Sequence, residues 1–585
     1  MPQTLIQDLF AGDIRREIEE VIKVDQTDEK IIREEISEYH PTRTIRASYT
    51  AILDRYLETP NKPHDGIGIW VAGFFGSGKS SFAKLLGVAI EDRLLLGDHA
   101  ADLFGKRTGD EKIQVLLKSI TSKIPTDAVV FDVSTERGIR TGNQTLTEIT
   151  YRMFLQHLGY SSTLELAELE ITLEERNQLD AFKVTYKKLY TRDWDKEKGK
   201  VAIALNEASR VMHEMDRSTY PIADSWVRAV KAKADITPVL LANRCKELMA
   251  RRRPGRTLVF VIDEVGQFVA RDVQKMLDLQ GIVQSLGRVG RGKIWLVVTS
   301  QEKLSEVVAG IDDKRIELAR LQDRFPKELQ VHLEPSDISE VTSKRVLSKN
   351  AAALQQLRKL FQEHRGRLTE NTRLTADIQL PALTAEAFGD LYPLLPYQVD
   401  FIIQVVSGLR TQGGASRHVG GANRTIIKLA QQLLVNPAVN LANQAVGMLV
   451  RANHIYDLVS GNIESELRDK IAAISQQVSH PMAEPVAKAV CLLQFVKSVH
   501  RTAGNIAAVL HSAVDADSQI SAVNEALEAL VKTHKVRLGD DGYRIPSPVE
   551  DDWEIQRAKR QPKQGDINRI VAKIVEELWE PALSI

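Results

Sequence analysis

Cysteine is almost missing from this sequence: two in 585 residues, Cys245 and Cys491, each inside an apolar helical pattern. Two distant thiols build neither a disulfide framework nor a four-ligand zinc site, so both read as small buried hydrophobes in a reducing cytoplasm. A surplus of either charge is also missing. Lys and Arg number 78, Asp and Glu 78, which excludes a protein that coats nucleic acid by bulk charge and leaves only a local basic patch open. No apolar run reaches the roughly 20 residues that a membrane helix needs. The longest, LVFVI at 258–262 and IWLVV at 294–298, are strand-sized. The N-terminal MPQTLIQDLFAGDIRREIEE has no apolar stretch of the kind that heads a secretory signal. There is no internal repeat and no low-complexity tract. The expectation is a soluble cytoplasmic protein without membrane association, long enough for three or four domains.

Apolar runs that are hydrophobic throughout, rather than alternating, mark strands buried on both faces. Five occur: IGIWVAG (67–73), DAVVFDVST (127–135), TLVFVID (257–263), KIWLVVT (293–299) and ELQVHLEP (328–335). Helical patterns separate them, which predicts an α/β domain with a parallel five-stranded sheet over 61–335. Residues 1–60 read as a helical segment broken at Pro41, and the charged stretch 160–250 reads as a helical insertion. From 336 the pattern is all-helical, giving a helical domain over 336–480. Helical runs at 484–500, 503–513 and 518–533 precede KVRLGDDGYRIPSP, two short strands around a Gly-Asp-Asp-Gly turn. Three helices and a hairpin make the winged-helix arrangement, at 481–550. A basic linker, QRAKRQPKQG, and an amphipathic helix at 566–580 complete 551–585. That helix's apolar face has no partner in the pattern, which suggests a truncated chain.

The first motif with chemistry is Gly73-Phe-Phe-Gly-Ser-Gly-Lys-Ser80, a full match to G-x-x-x-x-G-K-[ST] between a buried strand and a helix. Gly73, Gly76 and Gly78 let the backbone turn its N–H groups onto phosphates, with Ser77 and Ser81 in the same cradle, and the following helix adds its positive end. Lys79 would reach the β- and γ-phosphates and Ser80 would ligate Mg²⁺. The second is the strand LVFVI running into Asp263-Glu264. Asp263 would hold Mg²⁺, and Glu264 would orient and deprotonate the attacking water; the plain alternative is a helix cap. Together the motifs predict a P-loop NTPase of the ASCE and AAA+ kind that binds ATP with Mg²⁺ and hydrolyses it.

Three further positions are less constrained by pattern. KIWLVVT ends in Thr299-Ser300-Gln301, where a polar side chain would contact the γ-phosphate or the water. Asn is the commoner choice there; Thr299 is the candidate, against a plain strand cap. In IELARLQDRFPKELQ, Arg320 and Arg324 precede the fifth strand, where an arginine finger would project into a neighbouring subunit's site and stabilise transition-state charge. Arg324 is the candidate, against a salt-bridged surface arginine. In the helical domain, Arg417-His-Val-Gly-Gly-Ala-Asn-Arg424 opens a helix, and Arg424 is the candidate lid arginine, against a solvated one.

A winged helix can read DNA with its third helix and wing. The third helix here carries Glu525 and Glu528 on its polar face, with Lys532, His534, Lys535, Arg537 and Arg544 flanking it. Protein contact and DNA contact therefore both stay open. RRRPGR (251–256) reads as the solvated approach to the acidic strand.

GIWVAGFFGSGKSSFAKLLG, FDVSTERG, VFVIDEVGQFV, LQDRFP and the N-terminal pattern through Tyr49 together resemble the large P-loop ATPase of bacterial BREX phage-defence systems, the BrxC type. The resemblance covers most of residues 1–430. It implies a cytoplasmic ATPase that self-associates through shared ATP sites and acts with other BREX proteins: an adenine-specific DNA methyltransferase, a phosphatase-like protein and small accessory proteins. It also implies that the nucleotide is an adenine nucleotide. The nucleotide and winged-helix patterns are similar to origin-initiator ATPases as well, which keeps a DNA-linked role outside BREX as the alternative. A third reading is a slow nucleotide switch or scaffold.

Overall fold

The computed structural model describes residues 4–16, 23–74, 76–135, 144–230, 236–270, 272–309, 321–412, 426–559 and 563–579. These fall into two compact units: a sheet unit over Glu19–Arg345, and a helical unit of Met1–Ile18 with Val346–Ile585.

The sheet unit is built on five strands: β1 (Gly68–Gly73), β2 (Thr126–Asp132), β3 (Thr257–Asp263), β4 (Ile294–Ser300) and β5 (Gln330–Leu333). All pair in parallel, in the order β2-β3-β4-β1-β5. This is an α/β, Rossmann-like architecture whose strands fall at the five predicted runs, though β5 alternates rather than being buried on both faces: Val331 and Leu333 are buried, and Gln330 and His332 are half-buried. β3 and β4 are buried along their whole length, because helices cover both faces and leave no position for a polar side chain until the strand ends. β4 lies between β1 and β3, with Val71 beside Thr299 and Val298 beside Ile262. The carboxyl ends of three neighbouring strands are thereby brought together.

Helices α1 (Glu29–Glu38) and α2 (Arg43–Glu58) precede the sheet, and α3 (Lys79–Glu91) follows β1 directly. Each of the first two starts where a side chain satisfies its open N–H groups. Asp28 accepts from Lys30 N and Ile31 N, and Thr42 accepts from Ile45 N. Tyr49 of α2 stacks on Phe82 of α3 at 4.1 Å and donates its hydroxyl to the Phe82 carbonyl, seating α2 on the helix that follows the glycine-rich loop.

The helical stretch of 160–250 divides in two. Leu164–Glu175, Leu179–Tyr190 and Val201–Met215 enclose a small core of their own around Phe182, Tyr186, Trp194 and Trp226. Pro238–Arg252 instead joins the main core through Leu241, Cys245 and Leu248. The arginines of RRRPGR are engaged rather than merely solvated. Arg252 pairs with Glu174 and lies 3.6 Å over the Tyr160 ring, Arg251 pairs with Glu175 and Glu247, and Arg253 and Arg256 pair with Asp127. Burial alone would raise the Asp127 pKa, but His157 and Arg256 outweigh it, so the carboxyl sits below its ordinary range.

The helical unit holds Ala351–Asn371, Ala385–Leu391, Pro396–Gln412 and Ile426–Val435, then Ala452–Val459 and Ser465–Gln477. Ala483–Leu493, Ala503–Val509 and Ile520–Lys532 follow, and then an antiparallel pair, β6 (Arg537–Gly539) and β7 (Gly542–Arg544). Gly542 has φ +96° and its Cα faces the Arg501 backbone, so the hairpin turn requires glycine. Arg544 is tied to Glu550 by two hydrogen bonds of 2.6 and 2.7 Å. Glu525 and Glu528 are exposed on the helix before the hairpin. The last helix, Gln564–Trp579, exposes Ile567, Ile570, Val571, Ile574, Val575 and Leu578. No described helix is long and apolar enough to cross a membrane.

Candidate functional site at the carboxyl edge of the sheet

β1 delivers the chain into the glycine-rich loop, and α3 takes it away. Gly76 and Gly78 have φ of +76° and +90°, conformations that side chains with a Cβ resist. Gly73 answers a different demand: a Cβ there would lie 2.5 Å from Ser77 Oγ and 3.1 Å from the Leu333 carbonyl. Ser77 is buried, and its hydroxyl has no hydrogen-bond partner among the described residues. α3 begins at Lys79 with Gly78 as a cap that offers no side-chain acceptor, so the positive end of its dipole faces the loop. Lys79 Nζ donates to the Phe74 carbonyl at 2.9 Å, folding the ammonium back over the loop. Ser80 and Ser81 are half-buried in the first turn, and Phe75 lies outside the described residues.

The acidic strand end sits beside this loop. Ser80 Oγ donates to one carboxylate oxygen of Asp263 at 2.7 Å. Thr299 Oγ1 donates to the other and accepts the Glu264 amide at 2.9 Å. A continuous chain of hydrogen bonds therefore joins α3, β3 and β4 through side chains 183 and 36 residues apart in sequence. Glu264 takes φ +62° as it leaves β3 and caps the short helix Val265–Val269 through its backbone, with no side-chain capping bond. That helix is seated by close approach: a Cβ on Gly266 would fall 2.0 Å from Ser300 Oγ.

A third acid, which the sequence reading passed over, joins them. Asp132 ends β2 in register with Asp263. Burial raises its pKa, and the charge of Asp263 adds to the rise, while Ser134 opposes both by donating its N–H at 2.7 Å. The signal in the sequence was the acid at the end of DAVVFD, one strand away from the Asp-Glu pair.

The remaining candidates separate from the cluster or lie beyond description. Thr299 spends its hydroxyl on Asp263 and Glu264, so it ties the two acids together rather than pointing at a ligand. Arg324 is at the other end of the sheet, where its carbonyl lies 2.8 Å from the Cβ that Gly68 lacks. The length of β1 puts about 16 Å between that end and the loop. Its Nε is buried without a hydrogen-bond partner among the described residues. Arg320 and Arg424 fall outside the described residues, as do Arg417 and His418.

No group of three or more His, Cys, Asp or Glu residues among those described could hold a metal by itself. Ser80 and Asp263 offer a hydroxyl and a carboxylate 2.7 Å apart. This sparse all-oxygen set suits a Mg²⁺ ion that completes its shell with water and ligand oxygens. No family model matches the chain, and no solved structure matches it.

Proposed function

We propose that this chain binds a nucleoside triphosphate, ATP by the resemblance, at Gly73–Ser80 with Mg²⁺ and hydrolyses its terminal phosphate bond. The observation that carries the reading is the bond from Ser80 to Asp263, continued through Thr299 to the Glu264 amide. It makes one polar site out of a phosphate-cradle sequence and an acidic strand end. Backbone N–H groups of Gly76 to Ser80 and the start of α3 would receive the phosphates, and Lys79 would swing from the Phe74 carbonyl to their outer oxygens. Mg²⁺, held by Ser80 and Asp263, would neutralise charge developing on the phosphate oxygens. Glu264 would orient and deprotonate the attacking water, its amide fixed by Thr299.

The sheet order, with β4 between β1 and β3, supports the ASCE and AAA+ reading of the sheet unit, with 336–480 read as lid and 481–550 as winged helix. Arg324 cannot serve its own site across the sheet, so the arginine-finger reading requires a second copy. By the resemblance, the assembled ATPase would license a DNA-associated methylation and defence complex of the BREX kind with its methyltransferase, phosphatase-like and accessory proteins, on DNA held directly or through those partners.

The test is hydrolysis per protomer measured from dilute to concentrated protein, beside Glu264→Gln and Arg324→Ala. The expected rate climbs with concentration, vanishes in Glu264→Gln, and in Arg324→Ala stays low at every concentration. A parent rate that is flat across dilution removes the shared site. A slow switch is the second reading, favoured by the engaged Thr299 hydroxyl, which leaves no free hydroxyl at that position for the γ-phosphate. It predicts that Lys79→Ala abolishes partner exchange while Glu264→Gln retains it.

A further inference from the structure

The helix Ala351–Asn371 of the helical unit presents two unlike faces. Ala353, Leu357, Phe361 and Leu368 are buried on one. The opposite face, through Gln355, Arg358, Gln362, Arg365, Gly366 and Thr369, is exposed along its length, and Arg373 is exposed just past the helix end. Residues three and four apart are neighbours on a helix surface, so these side chains form one continuous ridge. Arg358 and Arg365 lie two turns apart on it, about 10 Å along the axis.

The guanidinium groups of Arg358, Arg365 and Arg373 have no hydrogen-bond or ion-pair partner among the described residues. Their neighbours are engaged. Lys359 pairs with Glu363 at 3.8 Å. Arg367, on the flank of the helix, donates to the Asp515 carbonyl at 2.8 Å and pairs with Asp517 at 3.2 Å. The one acid in contact with the ridge is Glu370, which shares with Arg365, Gly366, Thr369 and Arg373 an open hollow of about 440 Å³. Three unpaired cations against one carboxylate leave the ridge positive. Gly366 is a second, independent observation. Glycine is disfavoured inside a helix, and packing does not call for it here: a Cβ would meet nothing within 4 Å. Beside Arg365, on the exposed side, it lets another backbone approach the helix closely.

We infer that this ridge is a docking surface for double-stranded DNA, held through its phosphates by Arg358, Arg365 and Arg373, with Gly366 at the point of closest approach. The inference goes beyond the nucleotide reading and does not rest on it. The planar guanidinium fork matches phosphate oxygens. No aromatic side chain stands on the ridge, so the bases of a single strand find no stacking platform there. The spacing of about 10 Å between Arg358 and Arg365 is close to the about 12 Å width of the B-DNA major groove, whose two walls of phosphates they can reach. The narrow major groove of A-form RNA does not match it.

The test follows a labelled DNA duplex of about 30 base pairs binding to the full chain by anisotropy, without nucleotide, from about 50 to 200 mM salt. The triple variant Arg358→Gln, Arg365→Gln, Arg373→Gln should keep the parent's urea midpoint and lose at least about tenfold in affinity. Its plot of log affinity against log salt should be shallower by about 2–3, since each phosphate contact contributes about 0.9. Gly366→Leu should raise the urea midpoint and still weaken DNA binding at least about threefold, an opposition that a merely structural glycine does not give. A triple variant with the parent's affinity and salt slope overturns the inference. So does a parent that ignores the duplex at low salt or prefers the single strand, and so does a stabilised Gly366→Leu that binds as the parent does. Loss of binding in Lys532→Gln, Lys535→Gln with none in the triple variant places the DNA on the helix Ile520–Lys532 and its hairpin instead. Polyglutamate that displaces the duplex charge for charge assigns the ridge to an acidic protein, which also overturns it.

Discussion

Thr299→Val removes one hydroxyl and keeps the shape of a β-branched side chain that is 1% exposed. Two bonds are lost: the donation to Asp263 and the acceptance of the Glu264 amide at 2.9 Å. Hydrogen bonds to charged groups contribute about 1.5–3 kcal/mol, and a buried amide left unpaired costs about 1–3 kcal/mol. Asp263 keeps its bond from Ser80, so the expected net loss of stability is about 2–4 kcal/mol. The larger effect is on chemistry. Glu264 holds a left-handed backbone conformation, φ +62°, which a non-glycine residue adopts only when its surroundings enforce it. Without the anchor the carboxylate drifts, and a displacement of about 1 Å at a reacting group costs on the order of 100-fold in rate. On the proposed function, single-turnover hydrolysis should therefore fall about 100-fold, while nucleotide affinity, which that proposal assigns to the loop and Lys79, changes less than about fivefold. Thr299→Ser keeps the hydroxyl and should recover most of the rate. A valine variant within threefold of the parent, or serine and valine variants equally impaired, would refute the assignment of Thr299 as the residue that positions the two acids.

Two further outcomes follow from packing and burial. Gly266→Ala drives a methyl group to 2.0 Å from Ser300 Oγ and should cost about 2–3 kcal/mol, read as a lower urea midpoint of the sheet unit together with a loss of hydrolysis. Adding Ser300→Gly should restore part of both, and an additive loss in the double variant would rule out the clash as the cause. Lys349 is buried against the Phe10 ring with, among the described residues, only the Asp390 carbonyl as acceptor, and burial pushes its pKa down to about 7. The unfolded chain therefore binds more protons than the folded one between pH 7 and the ordinary lysine range, so this residue's penalty is full below pH 7 and fades as pH rises. Lys349→Met should raise stability by about 1–3 kcal/mol near pH 7 and by progressively less above it; a gain that does not shrink between pH 7 and 9.5 would contradict the burial argument.

The strands were legible in the sequence because burial on both faces leaves a mark that does not depend on partners: TLVFVID and KIWLVVT have no polar residue before their ends. The glycine-rich loop was legible for a related reason, since Gly76 and Gly78 occupy backbone conformations that restrict the residue type. The ribbon of Leu94–Leu95 with Asp98–His99 was not. Its turn places Leu96 at φ +53° before Gly97 at +92°, and a leucine in that position gives no turn signal. The division of the first 60 residues between two units was equally hidden. Residues 4–16 bind largely by backbone hydrogen bonds, which any sequence can make, and a specific contact such as Gln431 lies more than 400 positions away.

Asp132 and Thr299 show where reading along the chain stops. Each is an ordinary strand-end residue until register is known, and register is a property of pairs of strands rather than of either one. Once Asp132 is set beside Asp263 and Thr299 beside Asp263 and Glu264, three strand ends become one acidic site, with the Thr299 hydroxyl bridging two of its acids. The same register argues against a local role for Arg324. Parallel strands all begin at one edge and end at the other, so a residue just before β5 lies at the edge opposite the loop after β1. No side-chain rotation crosses about 16 Å of sheet. An arginine there can reach a phosphate only in another copy of the chain. The geometry thus turns the arginine-finger question into one about assembly, which dilution can answer.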